Sequence, residues 1–378
     1  VDLSPFSKSD NKMVLELDYG FLDFADAYFI VDGKFSNKQR SGDGYPLAYR
    51  PVNNPVILFL PPIKFEEKLE LYLHIKSEGS VKAPLILWSA PAFEKRDKLN
   101  ITINSLFVGA LLIMLLYHVF LFTILRELSV ILYLFYLSGY LFFHLVFTGI
   151  GFQQFWPTHP EWNNNLLLFT MNGISITGVA FSYVFLSLHQ RSWKVQLIPI
   201  ILIINCVTFL LLQPFLSYEA LILPNVLTVG FNTTFSVSVG FYLWFKGIRI
   251  ARFFSTAWAI FILGTLIYYL TLFGYIPANI FTNNVIVICA AVQMSLHALA
   301  LADKFKEERI VAENNIRRMN EELEDRVIER TGQLTDSLKQ LKVTQNELIQ
   351  SENTSTEAKL LILEDVSTNL DIYKSAKF

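Results

Sequence analysis

Charged residues are scarce in this chain: only 17% of its 378 residues are Asp, Glu, Lys or Arg. Soluble proteins usually carry about 25%. The deficit lies in the middle of the chain, because the first hundred or so residues and roughly the last eighty are ordinarily polar. This distribution predicts a membrane-embedded block between two aqueous modules. The net charge of −2 gives no sign of a nucleic-acid partner, and we predict none.

Cysteine is nearly absent as well. The two cysteines, Cys206 and Cys289, both lie in apolar runs, so the N-terminal region has no disulfide and cysteine usage does not indicate a compartment. The chain begins at Val1 without the basic region and short apolar run of a signal peptide. We expect this start to be processed or trimmed, since a domain exported ahead of the first span needs an export signal.

Catalytic motifs are also missing. The apolar runs contain no lysine, which excludes a retinal Schiff base, and no GxSxG, HExxH or paired intramembrane Asp, which argues against a membrane hydrolase. We therefore predict a protein without enzymatic activity, catalytic residues or cofactor.

Long apolar runs fill the middle of the chain. Seven of them are long enough to cross roughly 30 Å of hydrocarbon as helices, and none has a charged residue at its centre. The connections are short, so neighbouring helices are expected to pack antiparallel. The predicted spans are residues 101–125, 129–150, 164–188, 195–215, 220–245, 254–275 and 280–302.

Loop charge predicts the orientation of the spans. Alternate connections contain no Lys or Arg, whereas the others are basic, and basic loops stay in the cytoplasm. The N-terminal domain is therefore expected outside and the C-terminus inside. The basic residues are Arg126, Arg191, Lys194, Lys246, Arg249, Arg252 and, after the last span, Lys304, Lys306, Arg309, Arg317 and Arg318.

Several polar side chains fall at membrane depth. They could relay protons or bind an ion, or they could hydrogen-bond between helices and hold the bundle together, at typically about 1 kcal/mol or less each. With no carboxylate or lysine beside them, the second interpretation is favoured. These residues are His118, His144, His297, Asn104, Asn172, Asn205, Asn232 and Gln293.

The N-terminal region alternates apolar and polar residues with period two, as in KLELYLHIKS. Similar runs, MVLELDYG, DAYFIVDG, VILFLPP and APLILWS, are separated by Gly, Pro, Asn and Asp, which predicts an all-β sandwich or jelly roll. Polar residues cluster in RSGDGYPLAYRP. They either bind a sugar or other polar ligand, with aromatic faces for stacking, or brace a turn. The candidate ligand-binding residues are Arg40, Asp43, Tyr45, Tyr49 and Arg50.

Helix-breaking residues are rare after the last span. No proline follows Pro277 and no glycine occurs between Gly274 and Gly332, which predicts one helix from about Phe281 to Gln350. Apolar residues recur there every seven positions, which favours a parallel homodimeric coiled coil over a solvated single helix. The heptad residues are Val327, Leu334, Leu341 and Leu348.

Three stretches resemble the bacterial seven-transmembrane receptors with diverse intracellular signalling modules, 7TMR-DISM. RSGDGYPLAYRP with LILWSAPAFEKRD is similar to part of that family's extracellular jelly roll. ILYLFYLSGYLFFHLVFTGIGFQQFWP is similar to its second span and the following loop, and MNEELEDRVIERTGQL to its stalk. The resemblance implies a receptor in the bacterial inner membrane that senses an external, carbohydrate-like ligand and controls a cytoplasmic output.

The end of the chain departs from the fullest members of that family. No histidine follows His297, so the sequence has no phosphoacceptor of a histidine kinase. The output domain is expected to be absent or truncated here, with a histidine kinase or response regulator as a candidate partner. AKLLILEDVSTNLDIYKSAKF resembles the opening strand and helix of a receiver domain. Glu364 and Asp365 would then match its metal-binding acidic pair; otherwise the segment is a short amphipathic tail, and no other metal site is predicted.

These observations divide the chain into four predicted parts. They are a sandwich sensor domain (1–98), a seven-transmembrane domain (99–302), a coiled-coil stalk (303–350) and a tail (351–378). We predict a sensor whose outer domain detects an unknown small ligand, whose spans contact membrane lipid and whose dimeric stalk transmits the signal. The alternatives are a transporter or channel with regulatory domains, and a scaffold that recruits partners through the stalk.

Overall fold

The computed structural model describes residues 13–17, 19–62, 68–79, 81, 83–277 and 279–375. The first 12 residues of the predicted sandwich domain and the last three of the predicted tail lie outside these ranges. Two compact units divide the chain, Val1–Lys304 and Phe305–Phe378.

Six strands occur among the described residues of the N-terminal part of the first unit. They make two three-stranded antiparallel sheets, in the orders β4-β1-β6 and β3-β2-β5. Alternate side chains of β1, β2 and β5 point into one shared core, as the period of two requires. The predicted β-sandwich is therefore confirmed. The strands are β1 Met13–Leu17, β2 Phe24–Val31, β3 Lys34–Ser41, β4 Ile57–Phe59, β5 Leu69–Lys76 and β6 Leu85–Ser89.

Strand β3, KFSNKQRS, was not predicted, because it lacks regular apolar alternation. It lies at the end of its sheet and pairs with β2 alone. Asp32 and Gly33 join the two strands with φ of 49° and 74°. Two consecutive positive φ values are typical of the tight turn that suits the twist of a hairpin, so the Asp-Gly pair was the available signal.

Eight α-helices follow among the residues that the structure describes, and seven of them are long and apolar enough to cross a membrane. The predicted seven-helix block is confirmed, and the chain is a multi-pass membrane protein. The helices are α1 Ala90–Leu125, α2 Leu128–Phe147, α3 Ile150–Gln154, α4 Trp162–Phe185, α5 Trp193–Leu212, α6 Tyr218–Phe245, α7 Ala251–Leu272 and α8 Ile280–Ser375. All but the short α3 are span candidates.

Helix α1 begins at Ala90, well before the predicted span start at residue 101. Pro91 lies in its first turn, where a missing N–H costs nothing. The polar residues that follow contain no helix breaker, so the span continues into the sandwich without a linker. Arg96 in this extension forms an ion pair with the buried Glu16 of β1, and Trp88 Nε1 donates to the same carboxylate at 2.7 Å.

Helix α4 packs against α2, α5 and α6. Its Asn172 Nδ2 donates to Asn225 Oδ1 of α6 at 2.6 Å, and the Ser182 and Ser236 hydroxyls meet at 3.5 Å. Thr228 on α6 also donates to Asn205 Oδ1 of α5 at 3.0 Å. Several polar side chains at membrane depth therefore hold neighbouring helices together, as one of the two predicted interpretations requires.

Helix α8 is continuous from Ile280 to Ser375 and passes the predicted boundaries at 303 and 351 without a break. It includes Leu360–Leu363, where the receiver interpretation expects an opening strand, so that expectation is wrong for the described residues. A central receiver strand is buried on both faces, whereas these four side chains are 61% to 65% exposed. Preceded by helix formers and without Gly or Pro, they continue the helix.

Candidate functional site at the junction of sandwich and bundle

The five predicted ligand-binding residues lie between the end of β3 and the residues after a 3₁₀ turn, Leu47–Tyr49. The structure separates them into two groups that face different surroundings. Arg40, Tyr45 and Tyr49, the surface group, lie beside the outer face of sheet β3-β2-β5. Asp43 and Arg50, the junction group, face the helical bundle.

The surface group places aromatic rings next to polar atoms. The Tyr45 and Tyr49 ring centroids are 6.0 Å apart, and the Arg40 guanidinium lies 5.8 Å from the Tyr45 ring. The Tyr45 hydroxyl donates to Asp26 Oδ1 at 3.2 Å, and Lys38 Nζ pairs with Asp26 Oδ2 at 2.7 Å. The hydrogen bond to Asp26 raises the pKa of Lys38, and burial raises the pKa of Tyr45. Arg40 and Tyr49 are exposed, so this group is accessible to a ligand.

Arg50 braces the loop between β3 and β4. Its guanidinium donates to three carbonyl oxygens, those of Asn54 at 2.8 Å, Pro55 at 2.9 Å and Gly42 at 3.1 Å. It is 8% exposed and lies 5.4 Å from the Phe152 ring of α3. Arg50 therefore fixes the loop and also contacts the bundle. Burial lowers its pKa to about 10, so it remains charged at neutral pH.

The junction is the set of contacts between the sandwich and residues 148–167, which comprise the connection from α2 to α4 and the start of α4. Asn163 Nδ2 donates to the Asp43 carbonyl at 2.8 Å, and Asn164 Nδ2 donates to Asp23 Oδ1 at 3.0 Å. The Leu47 amide donates to the Pro157 carbonyl at 2.9 Å. Two consecutive asparagines at the start of α4 thus bind two different loops of the sandwich.

Apolar contacts complete the junction. Leu47 packs with Phe152 and Trp156 in a cluster that also contains Val146 and Leu167 from the ends of α2 and α4. Trp156 is 5% exposed, and its Nε1 donates to Asn163 Oδ1 at 2.7 Å, which holds the asparagine that binds the sandwich. Trp156 therefore organises the junction from within the protein instead of lying at the lipid interface as a membrane anchor.

A cavity of about 40 Å³ lies within the junction. That volume accommodates a few water molecules, whereas a sugar ring does not fit. Polar and apolar side chains share its wall. The lining residues are Gly20, Phe21, Asp43, Arg50, Pro55, Val146, Phe147, Thr148, Gly149, Phe152, Asn163, Asn164 and Leu167.

Asp43 is the most perturbed acidic group of the junction. It is 9% exposed, and its Oδ1 makes no hydrogen bond within the described part of the chain. Burial raises its pKa from the ordinary value of 3.8 to about 7, the nearby Asp23 carboxylate adds to the rise, and Arg50 opposes it. The carboxyl consequently changes charge near neutral pH.

Two family models match this chain. The model described as 7TM diverse intracellular signalling matches residues 100–304, more than half of the chain, and that described as 7TMR-DISM extracellular 2 matches residues 1–89. The chain belongs to the 7TMR-DISM family. Searches of curated proteins and of solved structures gave no match.

Membership confirms the predicted family and gives the junction its context. 7TMR-DISM proteins are membrane sensors with an extracellular domain, a class that is generally not catalytic. In this member the extracellular-2 match ends at residue 89, the last residue of β6, and the seven-helix match begins inside α1. The junction therefore joins the two matched domains of the family.

A second polar cluster lies inside the bundle. His297 of α8 is fully buried, and neither ring nitrogen makes a hydrogen bond within the described residues. Gln293, one turn earlier, donates to the Tyr136 hydroxyl at 3.2 Å. Aromatic rings from α2, α4 and α7 surround the imidazole at centroid distances of 5.2 to 6.4 Å; they belong to Tyr133, Tyr136, Phe181, Phe254 and Trp258.

Sequence reasoning missed Asp23, Asn163 and Asn164. The only signal was the run of three asparagines at the start of α4, which does not identify a partner 120 or more residues away. No group of three His, Cys, Asp or Glu able to hold a metal ion occurs among the described residues. The metal role of Glu364 and Asp365 stays a prediction; both residues lie in helix α8.

Proposed function

We propose that this 7TMR-DISM protein is a receptor of the bacterial inner membrane, with the sandwich outside the cytoplasm and the C-terminus within it. Basic residues support this orientation. The connections after α1, α4 and α6 contain Lys or Arg, and those after α3, α5 and α7 contain neither. Positively charged connections remain on the cytoplasmic side. A sandwich that precedes α1 then lies on the opposite side.

We infer that the ligand binds at the surface group, Arg40, Tyr45 and Tyr49. Tyrosine faces next to hydrogen-bonding and charged groups suit a carbohydrate-like molecule, which presents apolar C–H faces and polar edges. Arg50 takes the other role left open by the sequence, that of bracing a turn, and Asp43 lies beside it in the junction. Their cavity is too small for a sugar.

One observation carries the signalling proposal: the helix that forms the seventh span also carries the heptad. Within α8, Val327, Leu334, Leu341 and Leu348 are 57% to 69% exposed. Apolar residues at a spacing of seven are typical of a coiled-coil seam, where a second helix covers them. We propose a parallel homodimer through this stalk, residues 303–350, that transmits the signal to a two-component-type cytoplasmic output involving a histidine kinase or response regulator.

Cysteine cross-linking in native membranes tests the dimer. The variant Leu341→Cys, at the seam, should form an inter-subunit disulfide efficiently. Asp336→Cys is the matched control, because its position in the heptad faces away from the partner helix. A background with Cys206→Ala and Cys289→Ala removes the native thiols, both of which lie within spans. Equal cross-linking at both positions would contradict a parallel seam.

Protease accessibility tests the orientation. A tag inserted in the exposed turn at Gly33 should be cleaved in intact spheroplasts, whereas a tag after Ser375 should be cleaved only after lysis. Cleavage of both tags from the same side would overturn the receptor. Substrate flux in liposomes that is independent of the stalk would instead support a transporter.

A further inference from the structure

The Asp43 side chain is held in the junction by its own backbone. Its amide donates to the Leu22 carbonyl at 3.0 Å, and its carbonyl accepts from Asn163 Nδ2 at 2.8 Å. The carboxyl lines the junction cavity, and its Oδ1 has no hydrogen-bond partner among the described residues. The residue is 9% exposed. Burial of a carboxylate costs free energy when its oxygens lack hydrogen-bond partners.

The charges around Asp43 do not neutralise it. Asp23 on the neighbouring loop carries a like charge, which the Ser77 hydroxyl at 2.9 Å and the Glu78 amide at 2.6 Å stabilise. Arg50 directs both terminal nitrogens to carbonyl oxygens.

The other packed elements add few titratable groups. Tyr218 at the start of α6 interacts electrostatically with Asp43, and Tyr19 and Glu78 interact with Tyr218. The connection from α2 to α4 contributes Thr148 and Phe152 to the cavity wall, the start of α4 contributes Asn163 and Asn164, and none of these titrates.

We propose that Asp43 is a proton-binding site through which the pH outside the cytoplasm controls the docking of the sandwich on the bundle. The proposal rests on the receptor orientation given above. The proton is then a second input, independent of the ligand at the surface group. In acid, the neutral carboxyl fits the cavity and the junction stays closed. Near neutral pH, the carboxylate is left buried beside Asp23, and the population of the open junction increases.

The direction of the effect follows from the two pKa values. In the docked state the pKa of Asp43 is about 7, and in an undocked, solvated state it returns to the ordinary 3.8. The docked state therefore binds the proton more tightly. Docking is strongest below about pH 4, weakens as the pH rises to about 7 and changes no further above that. With full solvation of the undocked carboxyl, the docking equilibrium changes by up to about a thousandfold across this range.

Infrared spectroscopy detects the proton directly. The full chain in lipid nanodiscs, titrated from acid to alkaline pH, should lose a protonated-carboxyl C=O band with a midpoint near 7. Asp43→Asn, which keeps the shape and neutrality of the acid form, should lose the component of the band that titrates near 7. Asp26→Asn is the control, because Asp26 pairs with Lys38; in this variant the component that titrates near 7 should persist. If no wild-type component titrates near 7, or if that component remains in Asp43→Asn, the proposal fails.

Disulfide formation across the junction measures docking. Gln153 Nε2 donates to Asn53 Oδ1 at 3.0 Å, so a pair of cysteines at these positions reports the closed state. Alkaline pH accelerates thiol oxidation by itself, so each measurement is divided by that of the same pair with Asp43→Asn. We expect this ratio to be near one in acid and to fall severalfold by pH 8. A constant ratio would refute control of docking by Asp43.

These tests use neither the ligand nor the stalk. If Leu341→Cys does not cross-link but the band of Asp43 titrates near 7, the stalk model is wrong and the proton site stands. If the stalk dimer forms and the band is absent, the receptor stands without a pH input.

Discussion

Removal of the Arg50 guanidinium should loosen one loop of the sandwich far more than its neighbours. Three carbonyl oxygens, in Gly42, Asn54 and Pro55, accept hydrogen bonds from it within 3.1 Å. Hydrogen bonds to a charged group contribute about 1.5–3 kcal/mol each. They are not additive, and removal of one partner from a buried charged network costs about 3–5 kcal/mol. We expect that range for Arg50→Ala.

Native-state hydrogen exchange reads this cost locally. The amides of Asp43, Gly44 and Leu47 are all hydrogen-bonded, the last to Pro157 in the junction. At about 1.4 kcal/mol per factor of ten, a loss of 3–5 kcal/mol lowers their protection factors by roughly two to three and a half orders of magnitude. The wild-type protection factor of each amide sets the largest loss that can be observed. Amides in the centre of β2 should change little, because their partners lie in β3 and β5.

Two further variants separate charge from geometry. Arg50→Lys keeps the positive charge, but an ammonium lacks the planar fork that reaches three acceptors, so its loss should be intermediate. Arg40→Ala is the matched control. Arg40 is exposed and lies 5.8 Å from the Tyr45 ring, a contact of about 0.5–1 kcal/mol, which is at most about a fivefold change in protection. If Arg50→Ala and Arg40→Ala changed the loop equally, Arg50 would not be its brace.

Two other substitutions probe the junction and the bundle. Gly42→Ala should destabilise the closed junction by more than about 3 kcal/mol, because φ is +120° and the added Cβ would lie 2.4 Å from the Asp23 carbonyl oxygen. Hydrogen exchange at the Asp43 amide measures this, and Gly20→Ala, whose Cβ has free space around it, is the control. Wild-type protection in Gly42→Ala would contradict the strain. His297→Phe should keep or raise the thermal unfolding midpoint in detergent, because an imidazole without hydrogen bonds among the described residues is replaced by a ring that suits its aromatic surroundings. Gln293→Leu, which loses the hydrogen bond to Tyr136, should lower the unfolding midpoint. A large drop in the midpoint of His297→Phe would indicate a polar partner of His297.

The sequence was most informative where one physical requirement dominates. Spans must be apolar over about 20 residues, so all seven helices were predictable. Strands with a buried face alternate, so five of the six were predictable too. Strand β3 was not predicted, because an edge strand with polar faces shows no alternation of apolar and polar residues. Only Asp32-Gly33 indicated its hairpin. The start of α1 escaped because polar residues in a helix outside the membrane look like a linker.

The candidate site was predictable as a segment but not as two surfaces. Arg40 to Arg50 are close in sequence, yet the turn at Gly42 and the 3₁₀ turn at Leu47–Tyr49 send successive side chains in different directions. Which residues meet the bundle depends on contacts with residues 148–167, which lie 100 to 120 positions later in the contacts cited. Composition cannot encode such a pairing. Asn163 and Asn164 illustrate this, since any of three consecutive asparagines could have been the contact.

Helix α4 contacts both polar sites of this protein. Its first turn carries Asn163 and Asn164, which bind the sandwich, and its last turns carry Phe181, whose ring centroid lies 5.7 Å from that of His297 on α8. Between them, Asn172 is hydrogen-bonded to α6, so α4 cannot shift without breaking a buried polar contact. Close-packed interiors have discrete arrangements and do not deform continuously. Helix α4 thus contacts both the sandwich and the aromatic cluster around His297, on the helix that carries the stalk heptad.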